Sequence, residues 1–388
     1  MSCSKKNGAL SLIFIACNIG ILLTITPIAS LLVFYGVAAF FVVLRKRLSG
    51  LPRKVYNAFG ILALTLALLY YHQSLLIFTG YSAEILQIFF PGLWEGLTSQ
   101  ALARVGVSYC YLRTVYVLAG EEISLLDFSR YYFFSPTFVS GPIVPPGDFL
   151  SQPVRFTRTD IFTGITRIVY GFLKLVLSSI LQIVVPLSTA QNQQWALVHS
   201  SPSLLWVGVF ATGFWLYLNF SGFSDIAIGA SRLVGIRIPE NFNNPYVAQS
   251  LTDFWRRWHI SLANWLRANI YNPVTRQLSR FLSVQSLWIA IIPPIITMVV
   301  CGLWHGTILP FIIWGAFHGV GLAVDQLYRR FIESKLSPVL VNTRWYQAGG
   351  WLVTQAYVTL GWAFFFPLPA PSLTQSVLIV KRLLGIWM

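Results

Sequence analysis

"LWIAIIPPIITMVVCGLWHGTILPFIIWGAFHG", residues 287–319, joins two long apolar runs through a short polar interruption. The first run continues to Leu303, and two glycines and a proline surround His305. Glycine and proline are poor residues for a helix interior, so the pattern predicts that the helix breaks close to His305. Interrupted backbone at membrane depth is tolerated only where protein or a water-filled cavity covers it. The stretch therefore predicts membrane-spanning helices that bury a histidine.

The composition of the whole chain supports this interpretation. Of its 388 residues, 56% are hydrophobic and only 10% are charged, whereas soluble domains carry about 25% charged residues. The apolar runs are continuous rather than alternating, which favours helices over a β-barrel. The net charge of +15 comes from basic residues in short loops between apolar runs, as the positive-inside rule expects. The charge therefore indicates a membrane topology, and we expect no nucleic-acid partner.

The apolar runs predict an all-α polytopic membrane protein with about ten transmembrane helices. We expect one membrane-embedded domain over residues 1–388, with an uncleaved first span. Basic residues flank both ends of the run 9–44, so two crossings with a turn near 24–29 are favoured over one tilted span. The remaining predicted spans are 57–79, 101–118, 161–187, 203–220, 285–303, 309–328, 346–366 and 372–387.

Two intervening segments are too polar to cross a membrane. Residues 131–149, "YYFFSPTFVSGPIVPPGDF", are rich in proline, glycine and serine, so we expect irregular or re-entrant backbone. Residues 235–250, "GIRIPENFNNPYVAQS", form a loop by their proline and asparagine content.

A third segment, residues 253–267, predicts one amphipathic helix when its side chains are placed about 100° apart. Thr252 is the expected N-cap, and His259 falls at the edge of the apolar face. The apolar face carries Phe254, Trp255, Trp258, Leu262, Trp265 and Leu266. The polar face carries Asp253, Arg256, Arg257, Asn264 and Arg267. Such a helix either lies in the membrane interface, with its arginines reaching the headgroups, or wedges into the protein with its basic face toward water.

The histidines are the main candidates for chemistry. An ionisable group at membrane depth, such as His305, is a functional hypothesis by default, with a hydrogen-bonded structural role as the alternative. Cys301 lies one helical turn before His305, so a Cys–His pair is a further alternative to simple packing. His318 lies in the next helix, where structural and cavity-lining roles stay equally open.

A polar cluster interrupts the apolar sequence at residues 217–229, with Asn219, Ser221, Ser224 and Asp225. A serine capping a new helix near Asp225, a pair between Asp225 and an arginine such as Arg232, and a cavity lining all stay open. The four cysteines form no CxxC pair and no Cys/His metal spacing, so we expect neither a disulfide framework nor a metal site. The chain also lacks the GxSxG, P-loop, HExxH and His-x4-Asp motifs.

Several segments in one order resemble the membrane-bound O-acyltransferase family, in particular its bacterial branch with the alginate O-acetylation and teichoic-acid D-alanylation membrane proteins. They are "FVSGPIVPPGDF" (138–149), "YLNFSGFSDIAIG" (217–229), "IPENFNNPY" (238–246), "SLTDFWRRWHISLANWLR" (250–267) and "CGLWHGTILPFIIWGAFHG" (301–319). The resemblance covers about residues 100–330. It departs at residues 272–280, "NPVTRQLSR", where the alginate type has a Gly-Gly pair, and at Cys301, where a small residue such as glycine is common.

The resemblance implies helices around a central tunnel through the bilayer of the bacterial cytoplasmic membrane. A cytoplasmic acyl-CoA or acidic acyl-carrier thioester would meet a hydroxyl acceptor from the other side, with no bound cofactor. The family's histidines fall on His305, as general base, and on His259, which would orient the thioester or stabilise the oxyanion. We expect the tunnel to be lined by Trp304, Trp255, Trp258, Asn219, Ser221, Asp225 and His318, with Arg256, Arg257 and Arg267 attracting the donor.

The expected enzyme is an O-acyltransferase that O-acetylates an exopolysaccharide or cell-wall glycan, aided by a periplasmic acyltransferase partner. D-alanyl transfer from a carrier protein is the next alternative. A transporter and a scaffold of a polysaccharide-export complex remain alternatives of another class, since broken helices and buried polar groups suit them too.

Overall fold

The computed structural model describes residues 3–23, 28–47, 57, 59–65, 96–120, 122–138, 141–152, 157–184, 200–283, 286–306, 309–365 and 373–386. Every regular element in these ranges is helical, which confirms the all-α class. Within them, three helices are long and apolar enough to cross a membrane, namely Arg158–Leu181, Pro202–Leu233 and Leu287–His305. They coincide with the predicted spans 161–187, 203–220 and 285–303, and the total of about ten stays a prediction.

The first helices are α1 (Cys3–Leu23), α2 (Ile28–Arg47), α3 (Gly96–Ala119), α4 (Leu125–Tyr132), α5 (Pro146–Leu150) and α6 (Arg158–Val184). Two separate helices in the first apolar run agree with the expected hairpin, although residues 24–27 of its turn lie outside the described residues. Most of the predicted span 57–79 also lies outside them.

The later helices are α7 (Pro202–Leu233), α8 (Leu251–Arg257), α9 (Ile260–Leu266), α10 (Asn272–Leu278), α11 (Leu287–His305), α12 (Leu309–Phe331), α13 (Pro338–Val341), α14 (Arg344–Phe365) and α15 (Leu373–Leu383). A π-helical turn, Arg267–Tyr271, joins α9 to α10. The segment 235–250 is a loop as predicted, apart from one 3₁₀ turn at Pro245–Val247.

The chain divides into two compact units. The N-terminal unit comprises Met1–Val169 and Ser224–Pro239, and the C-terminal unit comprises Tyr170–Phe223 and Glu240–Met388. Each unit is described by itself, and the single domain expected over residues 1–388 stays a prediction.

An aromatic core and a buried arginine organise the N-terminal unit. Tyr35 of α2 packs on Phe133, the residue directly after α4, and their ring centroids are 4.6 Å apart. Arg113 of α3 is only 2% exposed, and its guanidinium donates to backbone carbonyls that include Tyr132 and Thr137. In the segment 131–149, residues 133–138 and 141–145 contain a 3₁₀ turn and otherwise irregular backbone, which confirms the prediction there, whereas residues 131–132 end α4 and residues 146–149 belong to α5. Arg113 satisfies the carbonyls that this irregular backbone leaves outside a helix.

The polar cluster at 217–229 does not begin a new helix, because α7 runs unbroken from Pro202 to Leu233. The capping alternative for Ser221 or Ser224 is therefore wrong. Asp225 pairs with an arginine, but the partner is Arg167 of α6, 2.6 Å away. Arg232 instead faces Asp160. The apolar stretch around Asp225 tolerates its carboxylate because the ion pair compensates its charge.

Glycines bring α11 and α12 into close contact in the C-terminal unit. A Cβ atom at Gly315 would lie 2.2 Å from the carbonyl oxygen of Met298, and one at Gly302 would lie 2.2 Å from that of Phe311. No side chain fits at such distances, so the two backbones meet through small residues, as membrane helices commonly do.

We expect Gly315→Ala to destabilise the protein by about 1–3 kcal/mol, because the added methyl group overlaps the α11 backbone and forces the helices apart. Thermal unfolding of the protein in detergent measures the effect. Gly349→Ala in α14 is the matched control, since nothing lies within 4 Å of its added Cβ. The control should be neutral or slightly stabilising, because alanine favours a helix more than glycine does. Equal melting temperatures for both variants would contradict the close contact.

Candidate active site

The predicted helix 253–267 is broken into α8 and α9 at His259. Its N-cap is Ser250, whose hydroxyl accepts from the Asp253 N–H, so the expected cap Thr252 is wrong. Thr252 lies inside α8, and its own N–H donates to the carboxylate of Asp325 at 2.8 Å. His259 itself has left-handed backbone, with φ 42° and ψ 54°. A non-glycine residue adopts this conformation at a cost, and such residues cluster at functional sites.

Residues of the loop 235–250 impose the break. The backbone N–H of Ile260 donates to the carbonyl of Asn241, and the N–H of Asn243 donates to the carbonyl of Arg257, both at 2.9 Å. These bonds link the chain on both sides of His259 to the loop, where a continuous helix would bond to itself. Sequence periodicity could not show this, because the partners lie about 16 residues away in the chain.

The side chain of Asn241 fixes the imidazole of His259. Its Oδ1 accepts from the backbone N–H of Ser261 at 3.2 Å and from the Ser261 hydroxyl at 2.8 Å. The Nδ1 of His259 lies 3.1 Å from the same oxygen. Because a backbone N–H can only donate, the amide oxygen must face this cluster, and Nδ1 of His259 must carry a hydrogen to donate to it. The neutral ring therefore presents Nε2 without a hydrogen.

Aromatic rings enclose His259. Phe220 of α7 packs edge-on, with ring centroids 4.6 Å apart, and Phe242 and Trp304 lie at 6.4 Å. The side chain is only 3% exposed. Burial, with a smaller contribution from the nearby His305, lowers the pKa of His259 well below its usual range, because the positive imidazolium is poorly solvated there.

His305 ends α11, and Gly306 follows it as the C-cap. This confirms the predicted helix end at this histidine. Its ring contacts are with four aromatic side chains, namely Trp304 at 4.8 Å, Phe365 at 5.0 Å, Trp314 at 5.3 Å and Phe311 at 6.2 Å. Cys301, one helical turn before His305, is buried. Trp304 contacts both histidines, with its ring centroid 6.4 Å from that of His259 and 4.8 Å from that of His305.

His318 of α12 contacts Trp314, which also contacts His305. Its centroid is 5.0 Å from that of Trp314 and 5.4 Å from that of Trp255. Three of the five histidines are thus joined through two tryptophans. The other two, His72 and His199, lie outside the described residues.

The three arginines of the predicted polar face behave differently. Arg257 makes two hydrogen bonds: its Nε donates to Oδ1 of Asp253 at 2.9 Å, and its Nη1 donates to the carbonyl of Asn243 at 3.3 Å. Arg256 and Arg267 are exposed at the rim of a pocket that Trp255 also lines. The structure therefore gives Arg257 a local structural role, whereas the guanidinium groups of Arg256 and Arg267 are exposed at the pocket. That they attract an anionic donor stays a prediction.

Only some of the residues expected to line the tunnel lie near the three histidines in the structure. Trp304 and His318 belong to the histidine and tryptophan cluster, and Trp255 joins it to the pocket. Trp258 is buried against Trp362, with centroids 5.3 Å apart. On α7, Phe220 makes the ring contact with His259, while Ser221 is buried and Asn219 half-buried on either side of it.

Sequence reasoning missed Asn241 as a site residue. The segment "IPENFNNPY" is predicted as a loop and forms part of the family resemblance, but neither prediction gives a role to Asn241, whose amide carries both donor and acceptor groups. It also missed Phe365, which packs on His305 from α14. No local pattern distinguishes Phe365 from the other aromatic residues, which make up 15% of the chain. Within the described part of the chain, no three His, Cys, Asp or Glu side chains are grouped to hold a metal ion.

The fold and the site together define an all-helical membrane protein with apolar helices and a cluster of three histidines, of which His259 and His318 are buried and His305 is half-buried. A pocket with exposed arginines lies beside this cluster. Residues 61–360 match the family model of the membrane-bound O-acyltransferases. The chain belongs to this family, and the resemblance seen in its motifs is confirmed.

Curated relatives agree with this assignment. The chain is similar to the probable alginate O-acetylase of Pseudomonas aeruginosa, with 33% identity over 284 residues, which cover 71% of this chain and 51% of that protein. The corresponding protein of Azotobacter vinelandii is 36% identical over 284 residues, which cover 71% of this chain and 53% of that protein. The teichoic acid D-alanyltransferase of Streptococcus thermophilus is 31% identical over 291 residues, covering 69% of each. The chain thus spans about half the length of the alginate relatives.

Proposed function

We propose that the protein transfers an acyl group, with acetyl as the first choice, from a thioester to a hydroxyl of a cell-surface polysaccharide. It acts as a multi-pass protein of the bacterial cytoplasmic membrane, where the donor approaches from the cytoplasm. The observation that carries the proposal is that His259 and His305 both contact the ring of Trp304, with the tautomer of His259 fixed by Asn241. Family membership supports acyl transfer as the reaction of such a site.

In the proposed mechanism, His305 takes the proton from the acceptor hydroxyl while its oxygen attacks the thioester carbonyl. The tetrahedral intermediate then collapses, the C–S bond breaks, and the thiolate leaves and takes the proton from His305. Such base catalysis contributes about 10²–10⁴-fold in rate. The enclosure of His305 by aromatic rings supports this role, because it favours the neutral imidazole that a base requires.

His259 has a different role from His305. Because its Nδ1 donates to Asn241, its neutral ring can only accept a hydrogen bond at Nε2. We assign it to accepting from a neighbouring hydroxyl of the acceptor sugar, which orients the acceptor while His305 takes the proton of the reacting hydroxyl. The alternative of stabilising the oxyanion would need a hydrogen on Nε2, and therefore the imidazolium that burial disfavours.

The donor is a thioester with an anionic group, carried either by coenzyme A or by an acidic carrier protein. The exposed Arg256 and Arg267 support this choice, since an arginine guanidinium suits phosphate and carboxylate groups. A periplasmic partner that passes the acyl group to the final polymer completes the proposal. D-alanyl transfer is the second candidate, because of the relative with that name.

Transfer of a radiolabelled acetyl group distinguishes an acyltransferase from a transporter and from a scaffold. Inverted membrane vesicles that contain the protein are supplied with labelled acetyl-CoA, and a soluble polysaccharide is placed on the opposite side. We expect covalent label on the polysaccharide, or on a purified periplasmic partner supplied with it. Flux of label without covalent transfer would indicate a transporter, and neither flux nor transfer would indicate a scaffold. Mass spectrometry of glycans from a deletion strain then identifies the acyl group and the polymer.

A further inference from the structure

A basic surface extends along α10 and the turn that follows it in the C-terminal unit. Residues 254–324 contain five arginines but neither aspartate nor glutamate. Arg276 and Arg280 are exposed and lie four residues apart. The N–H of Leu282 donates to the carbonyl of Leu278 at 2.9 Å, so the helical path continues past α10 and places both arginines on one face. An anionic group at this face meets no carboxylate from the same segment.

The two guanidinium groups make only local hydrogen bonds. Nε of Arg276 donates to the carbonyl of Asn272 at 3.3 Å, and Nη1 of Arg280 donates to Oε1 of Gln277 at 3.0 Å. Neither arginine forms an ion pair within the part of the chain that the structure describes. Because a guanidinium has five N–H donors, most of them stay open to an external acceptor. A phosphate oxygen is the acceptor that such donors suit well.

The position of α10 beside a membrane helix sets the depth of these arginines. Both α10 and the π-helical turn before it contact α11, which is long and apolar enough to cross a membrane. Tyr271 of the π-helical turn lines the same pocket as Pro294 and Met298 in the middle of α11. The chain then re-enters α11 at its start, Leu287. The turn after α10, with Arg280, therefore lies near the level at which α11 enters the membrane.

Exposed aromatic rings accompany the arginines at this level. Phe281, next to Arg280, is 78% exposed, and Trp288 in the first turn of α11 is 57% exposed. Exposed rings at the end of a membrane helix are typical of the membrane interface, where they lie among the lipid headgroups. A soluble acidic protein would pair with the arginines but would give these rings no apolar surroundings. The combination of charge and rings therefore favours a lipid as the partner.

We propose that α10 and the turn after it bind an anionic phospholipid, whose phosphate pairs with Arg276 and Arg280 and whose acyl chains contact Phe281. The bound lipid holds α10 in place beside α11. Because the π-helical turn Arg267–Tyr271 joins α10 to α9, the lipid also stabilises the position of α9. The proposed acyl transfer assigns no role to residues 272–280, in which the sequence departs from the alginate type.

Native mass spectrometry of the full-length protein in detergent tests the proposal, with equal amounts of phosphatidylglycerol and phosphatidylcholine that carry the same acyl chains. We expect the wild type to retain phosphatidylglycerol preferentially. Arg276→Gln and Arg280→Gln should each lower this preference by about fivefold, the attraction expected for one basic residue near anionic headgroups. Arg130→Gln is the matched control, because it removes the same charge from an arginine that Asp127 already pairs with, and its preference should be unchanged. Phe281→Ser should weaken both lipids equally, since the ring contacts acyl chains.

Equal retention of the two lipids by the wild type would overturn the proposal, and so would equal losses in the Arg130 and Arg276 variants. Melting temperatures in detergent without added lipid show whether each variant is folded. Displacement of phosphatidylglycerol by an acidic peptide at equal concentration would indicate a soluble acidic partner instead, and displacement by inorganic phosphate would indicate a simple anion site. Either displacement contradicts a lipid site. Because lipid retention is measured without turnover, its outcome is independent of the proposed acyl transfer.

Discussion

Replacement of His305 by glutamine is expected to lower the turnover of acyl transfer by about 10²–10⁴-fold, with little change in donor binding. Glutamine has a similar length and can still hydrogen-bond, but it cannot take the proton of the acceptor hydroxyl. The measurement is the rate of label transfer from acetyl-CoA to the acceptor, together with the calorimetric affinity for coenzyme A. A loss in turnover at constant affinity identifies an interaction made only in the transition state.

Cys301→Ala is the control for this prediction, because it changes a buried residue one helical turn from His305 without removing a base. It should retain most of the turnover. If Cys301→Ala instead lost as much activity as the His305 variant, a Cys–His nucleophile would replace the proposed base. A fully active, folded His305→Gln protein would remove His305 from the mechanism.

Replacement of Asn241 by leucine is expected to have the second large effect. The substitution keeps the number and branching of the side-chain heavy atoms but removes the oxygen that accepts from Ser261 and His259. These buried donors then lose their partner, which costs about 1–3 kcal/mol for each unsatisfied group. His259 also loses the bond that fixes its tautomer, so we expect both a lower melting temperature and a lower turnover. Asn241→Asp should retain the accepting oxygen and lose less turnover.

Asn244→Gly is the matched control for the same loop. Asn244 also has left-handed backbone, with φ 46°, but its side chain does not cap the following turn. Glycine adopts this conformation readily, so the control should remain within about 1 kcal/mol of the wild type. If Asn244→Gly and Asn241→Leu had the same effect, the loop as a whole would matter rather than the amide oxygen of Asn241.

The helical class and three long apolar helices could be predicted from the sequence, because a continuous hydrophobic run of that length satisfies its backbone hydrogen bonds in a bilayer by forming a helix. The helix end at His305 was also predictable, since glycine and proline act locally. The break at His259 was not. Its residues have good helical periodicity, and the loop bonds from Asn241 and Asn243 override that preference. Local pattern predicts structure where the chain bonds to itself nearby, and it fails where distant backbone competes.

The candidate site could likewise be predicted only in part. His305, His259, His318 and the tryptophans were recognisable as polar or aromatic residues in unusual places. The partner of Asp225 was not, because Arg167 and Arg232 are equally plausible by charge and only packing of α6 against α7 selects Arg167. Likewise, Arg257 differs from Arg256 by one position in the sequence. Only the structure shows that Arg257 is held by Asp253 and that Arg256 is exposed at the pocket.

The glycine contacts between α11 and α12 limit how the protein can open. His305 stands on one of these helices and His318 on the other, and backbone meets backbone at Gly302 and Gly315. Helices in such contact have no layer of side chains between them over which they could slide, so we expect α11 and α12 to move together as one rigid unit. A substrate gate must therefore come from side-chain rotation or from other segments. Cross-linking α11 to α12 should leave catalysis intact, whereas a cross-link across a moving segment should arrest it.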